Sequence, residues 1–315
     1  MKLTLGSRGS KLALWQAHWV RDRLAAAGHE IAIRIIKTTG DNRQTVSPQQ
    51  PPAPIAQTIA EVGGKGLFIK EIEEALVARE IDVAVHSLKD LPAEQPASLV
   101  LGAVPQREDA RDVFIARDGE PLASLPHGAR IATSSLRRQT QLRWLRPDLA
   151  YVMMRGNLDT RLRKLERRDC EALVLAAAGV HRLGLRERVT SYFSFDQMCP
   201  AVGQGALGIE IRADDGRARE AVAPLDHPAT HQAVRAERAL LRRLGGGCQV
   251  PIAAHAALEE GQLRLRGLVA SLDATRVIRA QAVGAVSDPE ALGVAVAENL
   301  LRQGAQEILD SLGKA

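Results

Sequence analysis

Two α/β domains facing each other across a cleft, followed by a small α+β domain, are what this sequence predicts, and three observations predict it. Strand and helix signals alternate along most of the chain, as layered α/β folds with a parallel component require. A short run of small residues, hydroxyls and arginine leads from strand to helix twice, at Leu5-Gly6-Ser7-Arg8-Gly9-Ser10 and at Thr133-Ser134-Ser135-Leu136-Arg137-Arg138. After Thr230 the pattern changes to one helix, three strands with hairpin-length gaps, and a closing helix. At 315 residues the chain also exceeds what one core usually fills.

In order, residues 2–5 read as a strand and 10–27 as a helix, with Leu12, Trp15, Trp19 and Val20 at helical spacing. Residues 31–36 are a second, unbroken strand. Residues 43–57 hold Pro48, Pro51, Pro52 and Pro54 among Gln and Ser, a composition that cannot pack and reads as a mobile loop. A helix follows over 67–79, then a buried strand over 82–85 that ends at His86-Ser87. A second block starts near Ala110, with strands at 131–133, 151–154 and 172–176 and helices at 136–145 and 157–167. Residues 203–211 read as a return to the first domain. The last part is a helix over 230–244, strands over 252–258, 263–271 and 276–283, and a helix over 289–303. The division expected is 1–104 with 201–222, then 105–200, then 223–315.

Composition narrows the function classes. Apolar residues make up 45% and charged residues 25%, as in an ordinary globular protein. The formal charge is +5, yet no Lys/Arg block reaches tail length, and with 3% aromatics nothing is interleaved with the arginines to stack on single strands. A nucleic-acid partner is therefore not expected, and a small acidic ligand is. Cys170, Cys199 and Cys248 are odd in number and widely spaced, which argues against a disulfide framework or a CxxC metal site, so no metal is expected. No run of about 18 apolar residues exists, and the N-terminus reaches Arg8 too soon for a signal peptide. No membrane association is expected, and the cytoplasm is the default.

Three segments carry chemistry. The apolar strand 82–85 runs into His86-Ser87-Leu88-Lys89-Asp90, and ligands of open α/β sheets bind beyond strand carboxyl ends. Lys89 offers a cation and Asp90 a carboxylate; from these residues alone, a solvated polar turn is the simpler reading. The two strand-to-helix turns put free backbone N–H groups beside arginine, where anions bind; a single one would be an ordinary N-cap, but two make an anion-binding cleft. In Glu237-Arg238 through Gly245-Gly246-Gly247-Cys248-Gln249-Val250-Pro251, three glycines free the backbone before Cys248, so its thiol is presented rather than packed. Cys170 and Cys199 read as buried and inert. Arg137, Arg138, Arg155, Arg161 and Arg182 all follow strands on one inferred edge, as a ligand with several carboxylates would need.

On these residues the chain resembles the porphobilinogen deaminase (hydroxymethylbilane synthase) family, from about residue 3 to residue 312. Glu237-Arg238 with Gly246-Gly247-Cys248-Gln249-Val250-Pro251 is similar to the family's cofactor-attachment signature. His86–Asp90, Gly63-Gly64-Lys65-Gly66-Leu67-Phe68, Thr133–Arg138, Arg155-Gly156-Asn157 and Pro200-Ala201-Val202-Gly203-Gln204-Gly205-Ala206 also match, in family order. Leu88 stands where methionine is frequent, a volume-conserving change, and the 43–57 segment is longer and richer in proline than the family pattern.

The resemblance implies two lobes like those of periplasmic binding proteins and a third domain carrying the cysteine. It implies a dipyrromethane cofactor joined by a thioether to Cys248, on which four porphobilinogen molecules are condensed head to tail with loss of ammonia before water releases 1-hydroxymethylbilane. Asp90 matches the family's catalytic aspartate, which would stabilise the azafulvene cation. Cofactor binding would fall to Ser87, Lys89, Thr133, Ser135, Arg137, Arg138 and Arg155. Substrate binding would fall to Arg8, Ser10, Lys65, Phe68, Arg155, Arg161 and Arg182, with Phe68 over a pyrrole ring. A monomer that passes its product to the next pathway enzyme is expected. The competing reading is a two-lobed polyanion-binding protein without catalysis, in which a presented Cys248 has no purpose.

Overall fold

A computed structural model describes residues 1–39, 69–246 and 250–312. Cys248, Lys65, Phe68 and the proline-rich 43–57 segment lie outside the described residues.

The first lobe is built on β1 (Lys2–Ser7), which pairs in parallel with β2 (Glu30–Ile35) and β3 (Val83–Ser87). Helix α1 (Lys11–Ala26) packs Ala17, Val20 and Leu24 onto this sheet against Leu5, Val83 and Val85. Two strands complete it: β4 (Leu99–Ala103) at the edge, and β10 (Leu207–Arg212), antiparallel to both β3 and β4, for an order β2-β1-β3-β10-β4. Of the segment read as a helix over 67–79, residues 69–79 are described, and the helix, α2, runs over Lys70–Val77.

The second lobe repeats the plan. Its strands are β5 (Asp112–Ala116), β6 (Arg130–Ala132), β7 (Ala150–Val152), β8 (Ala172–Ala176) and β9 (Ser191–Tyr192), in the order β7-β6-β8-β5-β9. Strands β6, β7 and β8 are parallel, while β5 runs antiparallel to β8 and β9. In each lobe, then, three parallel strands meet one antiparallel strand. That strand comes from a segment crossing between lobes: β5 follows the crossing out of the first lobe, and β10 follows the crossing back. Helices α3 (Leu136–Leu145), α4 (Leu158–Glu166) and α5 (Ala177–Arg182) complete this lobe. Strand β5 is buried on both faces, with Val113 and Ile115 in one core and Phe114 in the other. The sequence reading passed over β4, β5 and β9: β5 is buried on both faces and lacks the alternation that marks a half-buried strand, and β9 is only two residues long.

After α6 (Gly216–Val222), α7 (Pro228–Arg243) leads into an antiparallel meander, β11 (Ile252–Glu259), β12 (Gln262–Ala270) and β13 (Val277–Gly284). Helices α8 (Pro289–Arg302) and α9 (Ala305–Leu312) close it. Leu240, Leu265, Val269, Val296 and Leu300 share its core.

The three parts meet at Glu237 on α7. Its carboxylate is fully buried and accepts from both ends of the Arg107 guanidinium (2.6 and 3.2 Å) and from the amides of Gly203 (2.7 Å) and Ala256 (2.8 Å). Arg107 and Gly203 belong to the two inter-lobe crossings, and Ala256 to the C-terminal sheet. A charge buried this deeply is tolerated because every acceptor position is used.

Candidate active site

Strand β3 ends at Ser87 and passes into a single 3-10 turn, Leu88–Asp90. Leu88 is buried and anchors the turn: its amide donates to the Ala206 carbonyl (3.0 Å), and a Cβ on Gly203 would come within 3.1–3.3 Å of it. Gly203 has φ +70° and Gly205 φ +87°, where a Cβ would strike the Glu108 carbonyl oxygen at 2.4 Å. The glycines of the Pro200–Ala206 motif therefore serve close backbone packing under the turn. This leaves Lys89 half-buried and Asp90 exposed on the wall of a cleft of about 290 Å³ between the lobes.

The other wall positions follow from helix starts. Ser10 caps α1, its hydroxyl accepting from the Ala13 amide (3.3 Å), and holds Arg8 and Lys11 at the cleft. Gln16, one turn further, donates to the Ser87 hydroxyl (2.8 Å) and so locks α1 to the end of β3. From the second lobe, Asn157 precedes α4, which carries Arg161 into the cleft, and α5 brings Arg182. Arg161 donates to the Gly156 carbonyl (2.9 Å) and Arg182 to the Gly205 carbonyl (2.7 Å). Lys11 and Asp159 pair across the two lobes at 3.6 Å, an exposed contact of small energetic weight.

The cleft brings Arg8, Ser10, Ser87, Lys89, Asp90, Arg138, Arg161 and Arg182 together. Thr133, Ser135, Arg137 and Arg155 are not on its lining. Ser135 caps α3, its hydroxyl accepting from the Arg138 amide (3.4 Å), and the Thr133 hydroxyl accepts from the Ser135 amide (3.2 Å). Arg155 is exposed, although its neighbours Gly156 and Asn157 line the cleft. Arg137 turns away. It donates to Asp112 (2.8 Å) and to the Cys199 carbonyl (2.6 Å), at the crossings between lobes. Arg138 grips the same Asp112 through Nε and Nη2 (3.0 and 2.7 Å) while still reaching the cleft wall.

Asp112, which opens β5, is the residue the sequence reading missed. Burial alone would push its carboxyl up, but the Arg137 and Arg138 guanidiniums outweigh this and hold it at about 2. The only signal in the sequence is an acid heading an otherwise apolar strand, and its two partners lie 25 and 26 positions away. Trp15, 5.8 Å from the Arg182 guanidinium, was read only as a helix-face residue.

Enclosure lowers the pKa of several cations of the cleft. Enclosure draws the Lys89 amine down to about 8, with Asp90 opposing and Arg138 adding to the fall. Burial draws Arg161 down to about 10, helped by Arg138 and opposed by Asp90. It does the same to Arg182, against Glu108. Neither arginine ion-pairs with a carboxylate of the described residues. Such a donor set suits a ligand that brings several carboxylates of its own, as a dipyrromethane would. The other two cysteines are not reactive thiols: burial pushes Cys170 to about 11 and Cys199 to about 12.

Among the described residues no helix is long and apolar enough to cross a membrane. Comparison with known proteins is decisive on family. Residues 3–220 match the model described as "Porphobilinogen deaminase, dipyromethane cofactor binding domain", and residues 231–302 match "Porphobilinogen deaminase, C-terminal domain". The chain is 49% identical to the porphobilinogen deaminase of Syntrophobacter fumaroxidans over 315 residues, covering 99% of this chain and 98% of that one. It is 51% identical to that of Geobacter sulfurreducens over 310 residues (98% and 94%), and 52% to that of Desulforudis audaxviator over 310 residues (98% and 97%). Likeness to solved structures is slighter: an extracytoplasmic solute receptor of Bordetella pertussis that binds pyroglutamic acid overlaps 99% of each chain at 10% identity with a TM-score of 0.41. With both domain models matched in order and relatives about half identical along their full length, the chain belongs to the porphobilinogen deaminase family.

Proposed function

We propose that this chain is a transferase that joins four porphobilinogen molecules head to tail, each with loss of ammonia, on a dipyrromethane cofactor, and releases 1-hydroxymethylbilane by hydrolysis. Family membership supports the reaction. The observation that carries it in this chain is the Asp90 carboxylate, exposed at the end of β3 on a cleft wall shared with cations from both lobes. When bound, the dipyrromethane supplies the pyrrole carbon from which the product grows.

The chain's own residues do the rest. Arg8, Lys89, Arg138, Arg161 and Arg182 hold acetate and propionate groups, and Ser10 and Ser87 set the backbone that carries them. Asp90 stands where positive charge develops as ammonia leaves the incoming substrate, stabilises that charge, and accepts the proton released when the new bond forms. Thr133 and Ser135 shape the turn that aims Arg138. Arg155 serves from the rim. Cys248 is the attachment point, with Lys65 and Phe68 completing the substrate site, by match to the family's motifs.

The domain division is 1–104 with 201–222, 105–200, and 223–315; the sheet memberships of β10 and β5 support it. We include in this proposal a monomer that hands its product to the next enzyme. It works in the cytoplasm, where free thiols such as Cys170 and Cys199 persist.

The deciding experiment is the mass of the denatured protein together with its colour in acidic dimethylaminobenzaldehyde. The mass should exceed that of the sequence by two porphobilinogen units less their ammonia, with the pyrrole colour present, and Cys248→Ala should abolish both. An unmodified, colourless and active wild type would overturn the reading.

A further inference from the structure

We propose that Arg238, on α7 of the C-terminal domain, is a positioning residue for Asp90: it gathers the backbone carbonyls that follow the Leu88–Asp90 turn and so fixes where the carboxylate stands. The inference rests on the reading above that Asp90 acts in catalysis. Arg238 is only 5% exposed, and its guanidinium crosses from the C-terminal domain into the first lobe. There Nη1 donates to the Leu91 carbonyl (3.3 Å), and Nη2 donates to those of Pro92 (2.6 Å) and Ala93 (3.1 Å). Three successive carbonyls turned to one point repel one another, and, enclosed or partly enclosed without a donor, each would lose solvation. A planar cation with several donors is what lets that conformation persist.

The turn is held at its other end by a connected set of bonds. His86, the residue before Ser87, meets Glu210 on β10 through Nε2 (3.0 Å). The other Glu210 oxygen accepts from the Gln95 amide nitrogen (2.6 Å), and the Gln95 side-chain oxygen lies 3.4 Å from Arg238 Nη2. The path His86–Glu210–Gln95–Arg238 therefore closes around Ser87–Asp90, and Arg238 is its one member outside the first lobe. Its neighbour Glu237 grips both inter-lobe crossings. Consecutive residues of one helix thus register the C-terminal domain against the crossings and against the proposed catalytic turn. The same helix leads through Gly245 and Gly246 towards Cys248 in sequence.

The test uses full-length, cofactor-loaded protein, with loading counted by the acidic aldehyde colour. Arg238→Met and Arg238→Lys are measured in the wild-type and Asp90→Glu backgrounds, by single turnover per loaded site and by hydrogen exchange of the amides from residue 88 to 95. Displacing a catalytic group by about an ångström costs about 10²-fold. Arg238→Met should therefore slow the wild type by about that factor, with loss of amide protection. It should slow Asp90→Glu by less than about tenfold, because that carboxylate is already displaced. Arg238→Lys, which keeps charge and donors, should recover part of the rate. An equal factor in both backgrounds, or unchanged rate and protection, overturns the proposal. If Arg238→Met does not fold, Arg238→Lys carries the same comparison at smaller amplitude. Full activity in Asp90→Asn would instead sink the catalytic reading of Asp90, and amide protection would then decide on the clamp alone.

Discussion

The two lobes use one device to opposite ends. Each has a strand, a turn of small and hydroxyl residues with arginine, and a serine cap on the following helix: Ser10 on α1, Ser135 on α3. In the first lobe the arginine of that turn, Arg8, stands at the cleft. In the second, Arg137 is sunk onto Asp112 and the Cys199 carbonyl, and Arg138 divides itself between Asp112 and the cleft. The second lobe brings to the cleft arginines placed later in the chain, Arg161 and Arg182. A motif that marks an anion site in one lobe has become the bolt between lobes in the other.

The largest effect expected on that contrast is at the first lobe's turn. Asp90→Asn is nearly isosteric, so the protein should fold and accept a supplied cofactor precursor, yet its rate should fall by at least about 10²–10³. A variant with a tenth of wild-type kcat would make Asp90 a structural residue. Next comes the bolt. Arg137→Leu removes one of the two cationic partners of a buried carboxylate and should cost about 3 kcal/mol of stability by denaturant melt, with KM for porphobilinogen little changed in the folded fraction. A raised KM with an unaltered melt would place Arg137 on the ligand after all.

The second lobe's cleft arginines should behave in reverse. Arg161→Leu or Arg182→Leu should lose roughly 1.5–3 kcal/mol of carboxylate binding, raising KM about 10–10²-fold, while stability falls by less than for Arg137→Leu, since each gives up a bond to a backbone carbonyl and no ion pair with a described carboxylate. A drop in Tm without a change in KM would contradict this.

The smallest effect concerns pH. Lys89 titrates near 8 in the folded protein, below an unfolded lysine at about 10.4. Below about pH 8 the native state carries the cost of that enclosed charge. The cost is shed as pH rises through about 8, so this group's contribution to stability increases from there towards the unfolded value. Ligand binding runs the other way, because the cation that meets a carboxylate is lost over the same range. KM should rise as pH passes about 8, and Lys89→Arg should flatten the rise. A profile that keeps its step in Lys89→Arg assigns the step to another group.

Much of the site was legible in the sequence because its signals are local. An apolar strand ending in His86–Asp90 and hydroxyls at helix starts mark where polar side chains leave the sheet, since capping and turn geometry act over a few residues; the roles expected of them, and of the glycines in Pro200–Ala206, came from the family resemblance. The layer plan followed from strand and helix alternation. The tertiary structure decided what depends on residues far apart in the chain. Strand β10 enters the first sheet 120 positions after its partner β3 (Leu207 against Ser87), making the sheet mixed. Glu237 and Arg238 resembled part of an attachment signature and proved to be inter-domain clamps. Arg137 and Arg138 are adjacent in sequence, but neighbours on a helix point about 100° apart. Which of them reaches the cleft wall was therefore decided only when Asp112 and the crossings took up their places around the helix.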